Sequence, residues 1–190
     1  MDADEFWALI EASAGDGDGQ DEREAWLSRR LRRVPRADLL DFVQHLAATR
    51  EPANTYRLWH AADLLCGGYC STDGFHYFQM WLVGNGRAVY DAAIADPDSL
   101  AAAPQVAPLA AEPERYYPGW ESLEYVARRV GLERDDIDGD VRDVVTAERQ
   151  VRLRFDPKPE DLDWRDLDEA AVARAYPRLW ALFGDRRKRD

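Results

Sequence analysis

Long apolar runs are missing from this chain of 190 residues. No stretch approaches the ~18 consecutive apolar residues of a membrane-spanning helix, so no membrane span is expected. The opening, Met1-Asp2-Ala3-Asp4-Glu5, has neither a basic segment nor an apolar one, and so does not read as a secretory signal. Cysteine is scarce. The two present, Cys66 and Cys70, are expected to stay reduced in a cytoplasmic setting. Lysine is nearly absent, and almost every basic residue is arginine. Nucleotide and hydrolase signatures are missing too: no P-loop, no G-x-G-x-x-G, no G-x-S-x-G and no H-E-x-x-H.

Acid is in excess, with 37 Asp and Glu against 25 Lys and Arg and a net charge of −12. Each half of the chain carries −6, so neither half is a charged tail. Such a chain repels nucleic acid and anionic membrane on average. Two arginine-rich runs stand against that average, Arg29 to Arg33 and the tail from Arg186 to Arg189. Neither has interleaved aromatics, and both read as solvated surface, the tail (185–190) as a frayed end. Hydrophobic residues at 46% and charged residues at 33% are a globular composition. At this length one domain over 1–190 is expected, burying roughly 70% of the surface of the unfolded chain.

Helical periodicity dominates. Phe6, Leu9 and Ile10 open a first helix, with Asp4 as its expected N-cap. A glycine-rich loop near 15–19 separates it from a helix over about 20–33. Leu39, Phe42, Val43, Leu46 and Ala47 then follow i, i+3, i+4, i+7, i+8, and Leu58, Ala61, Ala62, Leu65 and Cys66 repeat that pattern before Gly67-Gly68. From Phe75 to Val83 only His76 and Gln79 are polar, so this helix is expected to be buried, capped by Asp73, and central to the fold. Short helices follow near 89–94 and 97–102. A proline-rich loop covers 103–118, and helices are expected over about 119–130, 141–149, 167–175 and 177–183. Val151, Leu153 and Phe155 alternate with arginine, which suggests a small extended element, with a linker at 156–160. The expected architecture is all-α: a compact bundle of about seven to nine helices around the aromatic-rich one.

Several stretches carry a resemblance: Phe6-Trp7-Ala8-Leu9-Ile10-Glu11, Leu58-Trp59-His60-Ala61-Ala62, and the run from Gly67-Gly68-Tyr69-Cys70 through Asp73-Gly74-Phe75-His76 to Gly84-Asn85-Gly86. With Ala95-Asp96-Pro97-Asp98-Ser99-Leu100, they resemble the bacterial domain-of-unknown-function 4240 family over roughly residues 1–130. The resemblance implies no activity, cofactor or catalytic residue.

The residues themselves offer a few constellations. Tyr56, His60 and Asp63 fall at i, i+4 and i+7, on the face opposite Leu58 and Ala61. A carboxylate beside an imidazole fixes its tautomer and is the arrangement of a general base, though no nucleophile or metal accompanies it. Beside this helix, Cys70-Ser71-Thr72-Asp73-Gly74 could offer backbone N–H groups and hydroxyls to an anion, although Asp73 has a sufficient job as a cap. His76 fits a satisfied buried histidine and His45 an exposed one. Zinc on Cys66, Cys70, His60 and His76 has no second ligand pair at a recognised spacing. The acidic stretches from Asp16 and Asp136 lack the Gly at position six and the Glu at position twelve of a calcium loop. Trp59 is one of seven tryptophans, an excess that suggests a groove or interface beside core packing. The candidate binding residues are therefore Tyr56, Trp59, His60, Asp63, Asp73 and His76. The expectation is a non-catalytic domain for a partner protein or small ligand, monomeric or homo-oligomeric, with no metal or cofactor. The alternative is an enzyme using the His60–Asp63 pair beside the 67–74 loop.

Overall fold

The computed structural model describes residues 1–16, 19–112, 117–153 and 159–186. Among them it is all-α, with eleven α-helices, four short 3-10 helices and no strand. The count exceeds the seven to nine expected because several helices are only six or seven residues long. Such pieces are too short to show a full turn of repeat on either side of their caps. The residues form two compact units, each assembled from two distant stretches of chain: Met1–Glu51 with Trp120–Pro157, and Pro52–Gly119 with Lys158–Asp190.

The first unit holds α1 (Ala3–Ser13), α2 (Gln20–Leu31), most of α3 (Arg36–Ala53), α8 (Leu123–Leu132) and α9 (Val141–Arg149). Asp2, not Asp4, caps α1. Its carboxylate accepts from the Glu5 amide at 2.9 Å while Glu5 accepts from the Asp2 amide, a D-x-x-E capping box. Phe6, Ile10, Leu27, Leu31, Leu39 and Phe42 are buried, with Phe6 and Phe42 ring to ring at 5.3 Å. Val126, Val130, Val141 and Val145 complete this core. α8 and α9 approach so closely that a Cβ on Gly131 would stand 3.0 Å from that of Val141. Among the described residues of this unit one carboxylate is buried, that of Glu24 on α2, and it is fully engaged. It accepts from the Trp120 indole at 2.8 Å, from the Ser122 hydroxyl, and from Arg129 at 2.9 Å. Burying a charge is tolerable when every lone pair finds a donor.

The second unit holds α4 (Tyr56–Leu65), α5 (Thr72–Gly84), α6 (Arg87–Ala95), α7 (Val106–Ala111), α10 (Glu169–Ala175) and α11 (Pro177–Phe183). The 3-10 segments Pro97–Ala102, Leu162–Trp164 and Gly184–Arg186 join them. α5 is the buried aromatic helix that the sequence led one to expect. Phe75, Phe78, Met80, Trp81, Leu82 and Val83 are buried, and so is Gln79, whose side-chain amide donates to the Ala53 carbonyl at 3.2 Å. Its cap is Ser71, not Asp73: the Ser71 hydroxyl accepts from the Gly74 amide at 3.0 Å. Asp73 lies exposed in the first turn, where its charge still suits the helix dipole.

Part of the expected loop 103–118 is helical. Val106 and Leu109 bury α7's inner face. Pro108 is tolerated because first-turn amides have no intrahelical acceptor. Residues 113–116 of that loop lie outside the described residues. So do 17–18 of the loop near 15–19, 154–155 of the expected extended element, 156–158 of the linker and 187–190 of the tail. Val151 to Leu153 have no regular structure. Asp185 and Arg186, expected to fray, belong to a 3-10 turn.

The second unit closes on Asp98, which is 3% exposed. Its carboxylate accepts from the Arg178 amide at 3.1 Å, the Leu179 amide at 2.8 Å and the Arg178 guanidinium at 2.9 Å. These amides begin α11 and would otherwise lack acceptors. Asp98→Ala should cost about 3 kcal/mol by stranding buried donors, and Asp98→Asn less, as urea denaturation would show.

In the first unit, guanidinium partners hold three exposed carboxyls below their ordinary values of 4.5 for Glu and 3.8 for Asp: Arg32 on Glu133, Arg134 on Asp136 and Arg36 on Glu148. A carboxyl depressed by folding contributes stability above its unfolded value, and that stability is lost as pH falls through the folded one. The urea midpoint should therefore stay level between about pH 7 and pH 5.5 and fall below about pH 4.5. The fall should shrink in ~1 M salt, because the pairs are solvated.

Candidate functional site

Four of the six candidates lie on α4, whose N-terminus is doubly satisfied. The Thr55 hydroxyl accepts from the Leu58 amide at 3.0 Å, and the Asp161 carboxylate accepts from the Tyr56 and Arg57 amides at 2.7 and 2.9 Å. The face expected to be polar is covered. His60 is 9% exposed, packed beside Tyr176 with ring centres 6.4 Å apart, and its Nε2 lies 2.6 Å from the Trp164 carbonyl. Helical spacing puts His60 opposite the face of Leu58 and Ala61. The 3-10 segment Leu162–Trp164 and Tyr176 bury it instead, a contact from a hundred residues away that helical periodicity does not report.

A carbonyl only accepts, so His60 Nε2 carries a proton. That leaves Nδ1 buried without a hydrogen-bond partner, 3.7 Å from Asp63 Oδ2. The expected His–Asp hydrogen bond is thus too long to count as one. Asp63 is spent on the backbone: its carboxylate accepts from the Cys70 amide at 2.8 Å and its own carbonyl from the Gly68 amide at 2.7 Å. Between them the chain reverses through Gly67 and Gly68, with φ of +82° and +117°, a conformation that favours glycine.

Trp59 fixes the same loop from the other side. Its indole donates to the Cys70 carbonyl at 2.8 Å, and its ring stacks on Phe75 at 4.5 Å and 13°. Tyr56 lies over Trp59 at 6.2 Å, and the stack continues through Phe75, Phe78 and Trp81. Asp73 is exposed. His76, expected to be buried, is half-buried and edge-on to Tyr77 at 5.9 Å. His45, expected to be exposed, is half-buried beside Phe6, with ring centres 5.7 Å apart. No tryptophan is fully exposed: Trp7, Trp81 and Trp120 are buried, and Trp26, Trp59, Trp164 and Trp180 are half-buried.

Two features escaped the sequence reading. Tyr69 at the tip of the loop is 78% exposed and Tyr117 is 54% exposed. Tyr117 sits over the loop, because a Cβ on Gly74 would stand 2.9 Å from its hydroxyl and 3.2 Å from Cys70 Sγ. Nothing in the proline-rich context of Tyr117 signals that contact. An open cavity of about 320 Å³ occurs in the first unit, lined by Gln44, Ala47, Glu51, Arg152 and Leu153 among others, and none of the six candidates contributes to it. Among the described residues no group of three or more His, Cys, Asp or Glu side chains could hold a metal ion, and no helix is long and apolar enough to cross a membrane.

Residues 1–130 match the profile of a family described as Protein of unknown function (DUF4240). The chain belongs to this family. The DUF4240 match contains α4, the loop and α5, while Trp164 and Tyr176, which enclose His60, lie beyond it. No curated protein and no solved structure matches the chain.

Asp63→Ala removes the acceptor of the Cys70 amide. It should speed hydrogen exchange at that amide and lower stability by about 1–2 kcal/mol. Asp63→Asn, which keeps an oxygen in place, should do less.

Proposed function

We propose that this DUF4240 protein is a non-catalytic interaction domain, and that its contact surface is the stapled loop from Gly67 to Asp73 with Tyr117 beside it. One observation carries the reading. Tyr69 is 78% exposed on a turn whose backbone is tied at Gly68 and Cys70 to α4. An aromatic ring held out on a pre-ordered backbone loses little conformational freedom on binding, as in the tyrosine-rich contact surfaces of proteins. The partner that fits is a protein with a basic surface. Tyrosine faces accept Arg and Lys through cation–π contact, Asp73 lies exposed where the loop enters α5, and the net charge of −12 steers cations towards the molecule. A cytoplasmic location agrees with this reading.

A second reading, an enzyme built on His60 and Asp63, draws support from the unpartnered Nδ1 of His60. A general base, however, must point its lone pair at a substrate. This nitrogen faces Asp63 inside the unit, and Asp63 already serves the loop.

The test compares immobilised wild type with Tyr69→Ser and Asp73→Arg in a native extract. Both positions are exposed, so the fold should hold within ~0.5 kcal/mol. Expected is a protein retained by wild type, released by added salt and lost from both variants. If every retained protein binds the variants equally, the surface is wrong. A metabolite that raises the melting temperature of wild type but not of His60→Ala would favour the enzyme.

A further inference from the structure

We propose that Cys66 and Cys70 form a redox-active dithiol, with Cys66 the thiol that reacts with a hydroperoxide and Cys70 the thiol that resolves it to a disulfide. The inference stands apart from partner binding and rests on how the loop is folded. Cys66 caps the C-terminus of α4, and the Gly67-Gly68 reversal, clamped by Asp63 at both Gly68 and Cys70, returns the chain over it. Both thiols are free, and the reversal brings them close enough for each to shift the titration of the other, with Cys70 Sγ and the Tyr117 hydroxyl both packed against Gly74. A disulfide needs sulfurs brought together by the backbone, and here the backbone is already held in that course.

The two cysteines are not equivalent. Cys66 is half-buried and reachable by a small oxidant, whereas Cys70 is 3% exposed. Cys70 and Tyr117 hold the Cys66 thiol below the ordinary thiol range against burial and the charge of Asp63. That same contact with Cys66, with burial, pushes Cys70 up. A partly exposed thiol beside a buried one and a tyrosine hydroxyl is the arrangement of a peroxide-reactive pair.

The chemistry balances. The Cys66 thiolate attacks one oxygen of the peroxide. The S–O bond forms, the O–O bond breaks, and the departing hydroxide takes up a proton to become water. Cys66 is then a sulfenic acid. The Cys70 sulfur attacks Cys66 Sγ, the S–S bond forms and the S–O bond breaks, and the leaving hydroxide takes the Cys70 proton. Two thiols and one peroxide give one disulfide and two waters. The ring so closed contains Tyr69.

The full chain treated with hydrogen peroxide tests this by intact mass and peptide mapping. Expected is a loss of about 2 Da with Cys66 and Cys70 linked within one chain. Cys70→Ser should accumulate a dimedone-reactive sulfenic acid at Cys66, and Cys66→Ser should leave Cys70 unlabelled. Tyr117→Phe keeps the ring and removes the hydroxyl, so it should slow disulfide formation roughly fivefold, the value of one hydrogen bond, without changing the circular dichroism. The proposal is overturned if peroxide that fully oxidises glutathione leaves both thiols alkylatable. It is equally overturned if the disulfide forms only between chains, or if Cys70 is labelled in Cys66→Ser as fast as Cys66 in Cys70→Ser. The wild-type mass needs no variant to fold.

Discussion

A carboxylate taken out of water must have its lone pairs filled by hydrogen-bond donors, and this structure uses that requirement to fasten distant chain segments. Asp98 receives two backbone amides and a guanidinium from the start of α11 (Pro177–Phe183), eighty residues away. Asp161 receives the first two amides of α4 (Tyr56–Leu65) from more than a hundred residues away. Glu24 receives an indole, a hydroxyl and a guanidinium across a similar separation. Short helices leave a large share of their amides without intrahelical acceptors. An acid from elsewhere in the chain supplies the acceptor and fixes the helix position in the same act.

Asp63 applies that logic at short range, and the loop depends on it. Its two bonds set where Cys70 lies, the Trp59 indole takes up the Cys70 carbonyl, and the stack of Trp59 on Phe75 ties the loop to α5 (Thr72–Gly84). The thiol contact, the exposure of Tyr69 and the burial under Tyr117 all follow from that short stretch of ordered backbone. His60, which looked like the chemical partner of Asp63, is instead part of the packing that places the Trp164 segment over α4.

Helix identity was legible wherever burial follows the sequence period. The buried face of α4 and the near-complete burial of α5 were read from spacing alone, because those faces pack against neighbours throughout their length. Caps were misread by two residues at both Asp4 and Asp73. In each case an earlier residue, Asp2 or Ser71, also satisfies the rule, and only the backbone dihedral decides between them. α7 (Val106–Ala111) was hidden by its proline, since Pro108 occupies a first-turn position where proline does no harm. At the site, the grouping of Tyr56, His60 and Asp63 was visible in the spacing. Its inward orientation was not, because Trp164 and Tyr176 come from a part of the chain with no local periodic relation to α4.

The acidic composition itself looks different once its acids are assigned. Asp2, Asp96, Asp140 and Asp168 are N-caps, and Asp63, Asp98, Asp161 and Glu24 accept from loops and helix ends. A chain divided into many short helices needs many such acceptors, so part of the excess of Asp is a consequence of architecture. An anionic acceptor makes a stronger hydrogen bond than a neutral one. Their structural work therefore does not cancel their field. The net charge of −12 persists as a long-range bias towards cationic partners, even though few of these acids are free to touch one. In the proposed interaction, specific contact falls to groups with no structural duty, foremost the exposed ring of Tyr69.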